Sequence, residues 1–174
     1  MHITTHILSG WVVGNLVSSF GPRERFFCMV AASAPDFDGL SLLGGWDCYC
    51  RWHHVVLHNL PFALALSVAL AVFSKPKRVA FPVYLGLVHL HFLMDLLGSG
   101  TGWGIAYLWP FSTREYPSFG WEFFSWQNYL ALLLVLAASV GLVYWKKRTI
   151  FEYPLPKIDR EVTGFFVKLL PRRS

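Results

Sequence analysis

Nine histidines and aspartates stand inside or beside the most apolar stretches of the chain: His6, Asp36, Asp38, His53, His54, His58, His89, His91 and Asp95. An ionisable side chain at membrane depth is costly and marks a functional site by default. Imidazoles mixed with carboxylates are the donor set of a borderline divalent ion, Zn2+ foremost. His91-Phe-Leu-Met-Asp95 puts one of each four apart, on one face of a helix, where both reach one ion or bridge two. Pro35-Asp36-Phe37-Asp38-Gly39 puts two carboxylates where proline disrupts a helix, so that one can ligate while the other orients or deprotonates a water.

His53-His54-Val-Val-Leu-His58 leaves two pairings open. His54 and His58 share a helical face, whereas His53 meets His58 only if the helix begins near His54. His6 qualifies as a ligand through its position relative to the rest. His89 lies two before His91 and points away around the helix, and His2 reads as surface. The competing reading for each residue is structural: a core histidine bonded to an aspartate, a capping carboxylate, an exposed loop imidazole.

The elements that must position these groups are membrane helices. Of 174 residues, 55% are hydrophobic and 14% charged, against roughly a quarter charged in soluble domains. Five stretches approach the roughly 20 apolar residues that cross a bilayer: 3–20, 26–45, 55–73, 79–97 and 128–145. The second is weakened by Pro35, Asp36 and Asp38. The first lacks a basic start and carries His6, so a cleaved signal peptide is not expected. Placing the amino terminus outside puts every Lys and Arg on the inner side except Arg51 and Arg114, as the positive-inside rule requires. Topology argued from Lys and Arg alone then gathers His6, Asp36, Asp38, His53, His54, His58, His91 and Asp95 at the outer ends of their helices.

Two segments remain. Residues 98–127 are rich in glycine and aromatics, including Trp103, Trp109, Trp121 and Trp126, and are expected at the outer interface as a partial lid. The tail alternates charge with Val162, Phe165, Phe166, Leu169 and Leu170, an amphipathic helix for the inner leaflet helped by Lys168, Arg172 and Arg173. The expected fold is therefore all-α, a polytopic bundle of about five helices with an amphipathic C-terminal helix. It divides into a transmembrane metal-site domain (1–148) and a cytoplasmic interfacial tail (149–174). Cys28 sits in an apolar run, and Cys48 and Cys50 are too close for an unstrained disulfide. No phosphate-cradling glycine loop occurs, and the basic residues lie opposite the candidate site, so nucleic acid is not an expected partner.

The series His6, Pro35-Asp36-x-Asp38, His53-x-x-x-x-His58, His91-x-x-x-Asp95 and Leu108-Trp109-Pro110 resembles the predicted membrane-bound metal-dependent hydrolases, including the LexA-regulated inner-membrane members. The resemblance spans about residues 6–111. That family's middle motif usually reads His-Arg-x-x-Thr-His-Ser; here His54, Leu57 and Asn59 replace its arginine, threonine and serine. The helix bearing His91 and Asp95 is more distantly similar to that of zinc-dependent phospholipase C, which implies phosphoester hydrolysis at a multinuclear zinc site.

The resulting expectation is an inner-membrane hydrolase acting on a phosphoester or ester of a membrane lipid or lipid-linked substrate. One or two Zn2+ ions would be held by His6, Asp36, His53 or His58, His91 and Asp95, with Asp38, exchangeable with Asp36, as catalytic base. The alternative is a non-enzymatic membrane protein binding haem or a metal ion. The sequence is silent on oligomeric state.

Overall fold

A computed structural model describes residues 1–169. Leu170, Arg172 and Arg173, which the sequence assigns to the amphipathic tail, lie outside the described residues. Helix α1 spans Ile3–Leu16 and α2 Pro22–Ser33, which runs directly into a 3-10 segment, Ala34–Gly44. Then follow α3 (Trp46–Trp52), α4 (Leu60–Val72), α5 (Lys77–Gly98), α6 (Trp126–Lys146) and α7 (Pro156–Leu169). The five apolar stretches correspond to α1, α2 with its 3-10 extension, α4, α5 and α6. Three of these, Pro22–Gly44, Lys77–Gly98 and Trp126–Lys146, are long and apolar enough to cross a membrane.

Helices α1 and α4 have 14 and 13 residues, about 20 Å at 1.5 Å per residue, short of a hydrocarbon core of ~30 Å. The third apolar stretch is expected to turn helical from residue 55, but α4 starts only at Leu60. Asn59 ends the irregular segment before it. Its carbonyl oxygen accepts from Phe62 N at 2.9 Å, and its amide donates to the carbonyls of Val55 and Val56 at 2.9 and 2.8 Å. Pro61 follows in the first turn, where its missing N–H costs nothing. Residues 53–59 are thereby held non-helical and free to aim side chains at the site.

Helix α1 lies against α2 and α6, α2 also against α5, and α5 against α4. Gly10 and Gly14, one turn apart, set the α1–α2 spacing. A Cβ at Gly10 would sit 2.8 Å from Ala32 Cβ, and one at Gly14 3.1 Å from Arg25 Cα. This is the small-residue contact by which membrane helices approach closely. One apolar cluster joins Cys28, Ala31 and Ala32 of α2 to Tyr84, Leu87, Val88 and Phe92 of α5, with Ala63 and Ala71 of α4. A second joins Trp11, Met29 and Val143, with Phe166 of α7 packed on it. Leu64, Val68 and Val72 of α4 and Leu130, Leu133 and Leu134 of α6 stay exposed, as residues facing lipid do.

The tail folds back on the bundle. Arg25 grips Glu152 with two donors, Nε to Oε2 at 2.9 Å and Nη2 to Oε1 at 2.7 Å, and Asp159 accepts from the Thr149 hydroxyl at 2.8 Å. At the other end of the bundle, Asn128 of α6 is wholly buried. It donates to the carbonyls of Gly98 and Phe123, both at 2.7 Å, and accepts from Trp121 Nε1 at 2.7 Å. One amide thus fixes the loop 99–125 to both α5 and α6. Within that loop Ile105 and Tyr116 exchange two backbone hydrogen bonds of 2.9 Å, an isolated antiparallel pairing.

Candidate metal centre

Asp95 is the hub. It sits in the last turn of α5, 1% exposed, with both carboxylate oxygens occupied. Oδ2 lies 2.8 Å from His91 Nε2, 3.3 Å from His58 Nε2 and 4.0 Å from His54 Nε2. Oδ1 lies 3.2 Å from His6 Nε2 of α1 and 2.5 Å from the Met1 nitrogen. Asp36 completes the group, with Oδ1 3.7 Å from His91 Nε2. Asp36, His58, His91 and Asp95 each present one ligand atom, all within 4.8 Å of one another, an arrangement able to hold a metal ion.

The ring orientations are fixed from behind. His91 Nδ1–H donates to the Ala32 carbonyl at 2.8 Å. His58 Nδ1–H donates to Asp38 Oδ2 at 2.8 Å. A carbonyl or carboxylate only accepts, so Nδ1 carries a proton, and whenever the ring is neutral its lone pair is on Nε2. The two Nε2 atoms then face each other 3.0 Å apart, against a carboxylate oxygen. Two ring nitrogens and a carboxylate oxygen held that close favour a positive charge between them, a proton or a metal ion. Asp36 Oδ2 and His6 Nδ1 are buried without a hydrogen-bond partner, further capacity that a cation or its ligands would use. The donor set, neutral imidazoles with carboxylates, suits a borderline ion such as Zn2+.

Charge in the loop residues follows the same logic. Burial would push His58 down, but its hydrogen bonds to Asp38 and Asp95 and their charges hold it up at about 9. The carboxylates that favour a proton on His58 equally favour a metal ion beside it. Burial is the largest effect at His54 and pushes it down to about 3, so this ring is neutral.

The sequence-derived residues therefore fall into two sets. His6, Asp36, His58, His91 and Asp95 converge. His53 and Asp38 form a layer behind them: His53 Nδ1 lies 2.6 Å from Asp38 Oδ1, and its ring stacks on Tyr49 at 4.5 Å. Asp38 also accepts from Leu57 N at 3.3 Å. Both its oxygens are engaged, so Asp36 and not Asp38 faces open space. The 3-10 segment explains this: at 3.0 residues per turn, positions two apart diverge by about 240°. His89 turns away, as its spacing predicts, between the Leu85 carbonyl and the Tyr107 hydroxyl, each at 2.8 Å. His2, expected at the surface, packs edge-on against Phe123 at 4.6 Å.

A cavity of about 350 Å³ opens onto Asp36, His53, His54 and Asp95. Its mouth is aromatic: Trp46 and Tyr49 from α3, Trp103 and Phe123 from the loop 99–125. That loop thus forms part of the cavity wall, through Trp103 and Phe123 but not through Trp109, Trp121 or Trp126. No Lys or Arg is among the lining residues.

Fold and cluster together define the class: an all-helical membrane protein with a buried histidine–aspartate centre fit for a divalent ion. Residues 1–155 match the family model described as YdjM inner membrane protein, and the chain belongs to that family. No curated protein and no solved structure matches it.

Proposed function

We propose that this protein is a metal-dependent hydrolase of phosphoester or ester bonds in a lipid or lipid-linked substrate. Its site would lie at the outer face of the membrane, with the amino terminus outside and the carboxyl terminus in the cytoplasm. One observation carries the reading: Asp36, His58, His91 and Asp95 bring their donor atoms within 4.8 Å of one another beside a cavity walled by aromatic side chains. Zn2+ fits the donor set best, and when bound it would lower the pKa of a water and polarise the scissile oxygen.

The chain's own groups have separable tasks. His58 and His91 offer Nε2 in fixed orientation. Asp38 holds His58 in its tautomer. Asp36, with one oxygen free of protein partners, is the group that would take up a proton from an attacking water. Trp46, Tyr49, Trp103 and Phe123 exclude bulk water and receive the apolar body of the substrate. The depth of the cavity at the end of α5 favours a headgroup-level bond.

The non-enzymatic alternative, a haem or metal-ion binding protein, is weaker for haem: the facing His58 and His91 nitrogens, 3.0 Å apart, leave no room for a porphyrin, and carboxylates prefer harder ions. Metal analysis of detergent-purified protein beside Asp95→Ala, followed by a panel of phosphodiester and ester lipids, tests the reading. Stoichiometric metal lost in the variant, with metal-dependent turnover of a panel member, is expected. Metal that can be removed without any effect on turnover of the panel would leave a binding protein or a structural cluster.

A further inference from the structure

We infer that His54 is an additional metal ligand of this centre, an inference that rests on the proposed function's reading of the cluster as a metal site. Three imidazoles share one construction. His91 Nδ1 donates to the Ala32 carbonyl at 2.8 Å, His58 Nδ1 to Asp38 at 2.8 Å, and His54 Nδ1 to the Trp103 carbonyl at 3.2 Å. Each ring is pinned at Nδ1 by a group that only accepts, and each turns Nε2 toward the same atom, Asp95 Oδ2, at 2.8, 3.3 and 4.0 Å. Two donors each about 2.0–2.2 Å from one ion are separated by roughly 3 to 4.2 Å, depending on the angle between them. All three separations are close to or within that range, with His54 at the wide-angle end.

The local backbone is shaped for this aim. His54 has φ +67°, a left-handed conformation uncommon for a side chain with a Cβ. Its carbonyl accepts from Ala106 N at 3.2 Å, so the loop 99–125 grips both the main chain and the ring of this residue. A turned-out His54 would satisfy a structural role without strain; the ring instead is 3% exposed and packs 4.5 Å from the His58 ring. It also lines the cavity, as Asp36 and Asp95 do. His53, its neighbour, points to Asp38 and not to Asp95.

The test is metal binding by full-length protein in detergent, read without any substrate. Cobalt(II) is titrated into wild type, His54→Gln and His54→Ala, following the visible ligand-field bands and the dissociation constant by chelator competition. Both variants should bind on the order of 100-fold more weakly, at or beyond the upper end of what losing an outer partner of a ligand costs, with altered bands. Added imidazole should restore the wild-type spectrum in His54→Ala by filling the vacated space. Folded variants with wild-type affinity and bands would overturn the inference and leave the cluster reading intact. Wild type that binds no cobalt would overturn both. If His54→Gln does not fold, the imidazole response of His54→Ala decides alone: no change in its cobalt spectrum on adding imidazole overturns the inference.

Discussion

His58 turns its Nδ1 to Asp38, 2.8 Å from Oδ2, and this one hydrogen bond decides what the ring can do. It keeps a proton on Nδ1, away from the cluster, so that a neutral ring turns its lone pair toward His91 and Asp95. The second oxygen of Asp38 holds His53 in the same way at 2.6 Å. Orienting carboxylates behind metal-binding histidines raise ligand basicity, and their loss costs about 10- to 100-fold in metal affinity. Asp38→Asn retains one acceptor for two imidazoles. Its metal dissociation constant should rise about tenfold with secondary structure unchanged by circular dichroism. Wild-type affinity in this variant would mean that Asp38 does not set the ring.

Metal removal should also be legible in stability. A ligand that binds only the folded state contributes RT ln(1 + [L]/Kd), about 2.7 kcal/mol at 100-fold excess over Kd. Because the cluster joins His6 of α1, His58 of the 53–59 segment and His91 and Asp95 of α5, a chelator should lower the detergent Tm of wild type. Restored zinc should return it. Asp95→Ala should melt at one temperature regardless of zinc. A zinc-dependent Tm in Asp95→Ala would show that the ion binds elsewhere.

The reach of the sequence differed from residue to residue for physical reasons. His91 and Asp95 lie on a regular helix, where a spacing of four converts directly into a shared face. The five apolar stretches were legible because a bilayer demands length and composition and little else. The division of labour between Asp36 and Asp38 was hidden, since the 3-10 turn that separates them depends on packing beyond Pro35. His53 and His54 could not be told apart because the segment holding them is not helical and His54 has a positive φ. Asn59 and Asn128 carry no signal at all: an asparagine near a helix end looks like any cap, and only the fold reveals that each secures three partners.

Asn128 gives a prediction about the cover of the cavity. Its buried amide ties Trp121, Phe123 and Gly98 together. Asn128→Leu leaves the indole N–H and two carbonyls without a partner, each costing roughly 1–3 kcal/mol if it remains buried. The loop 99–125 should loosen before the bundle does. Limited proteolysis in detergent should cut this loop faster in the variant while α5 and α6 stay intact. Equal cleavage rates would show that the loop's backbone hydrogen bonds to Leu96, Leu97 and Leu60 hold it without Asn128.

Close approach of α1 to α2 is what brings His6 to Asp95. Gly10→Leu places a branched side chain where even a Cβ would sit 2.8 Å from Ala32 Cβ. Overpacking of this kind typically costs about 1–3 kcal/mol. The variant should lose several degrees of Tm, and, if His6 is a ligand, more so with zinc than without, because displacing α1 draws His6 away from Asp95. A Gly10→Leu protein with undiminished zinc stabilisation would place His6 outside the ligand set.

Cys50 offers a direct reading of orientation. It is exposed on α3, on the cavity side of the bundle, whereas Cys28 is buried in α2. In the orientation proposed from the distribution of Lys and Arg, the cavity side faces away from the cytoplasm. In a Cys48→Ser background, a membrane-impermeant maleimide should therefore label Cys50 in cells whose outer envelope has been opened. Inverted inner-membrane vesicles should label only after detergent is added. The reverse pattern would turn the protein over, placing the cavity in the cytoplasm and the basic loops outside. It would also remove lipid-linked substrates of the outer leaflet from consideration while leaving the metal cluster itself untouched.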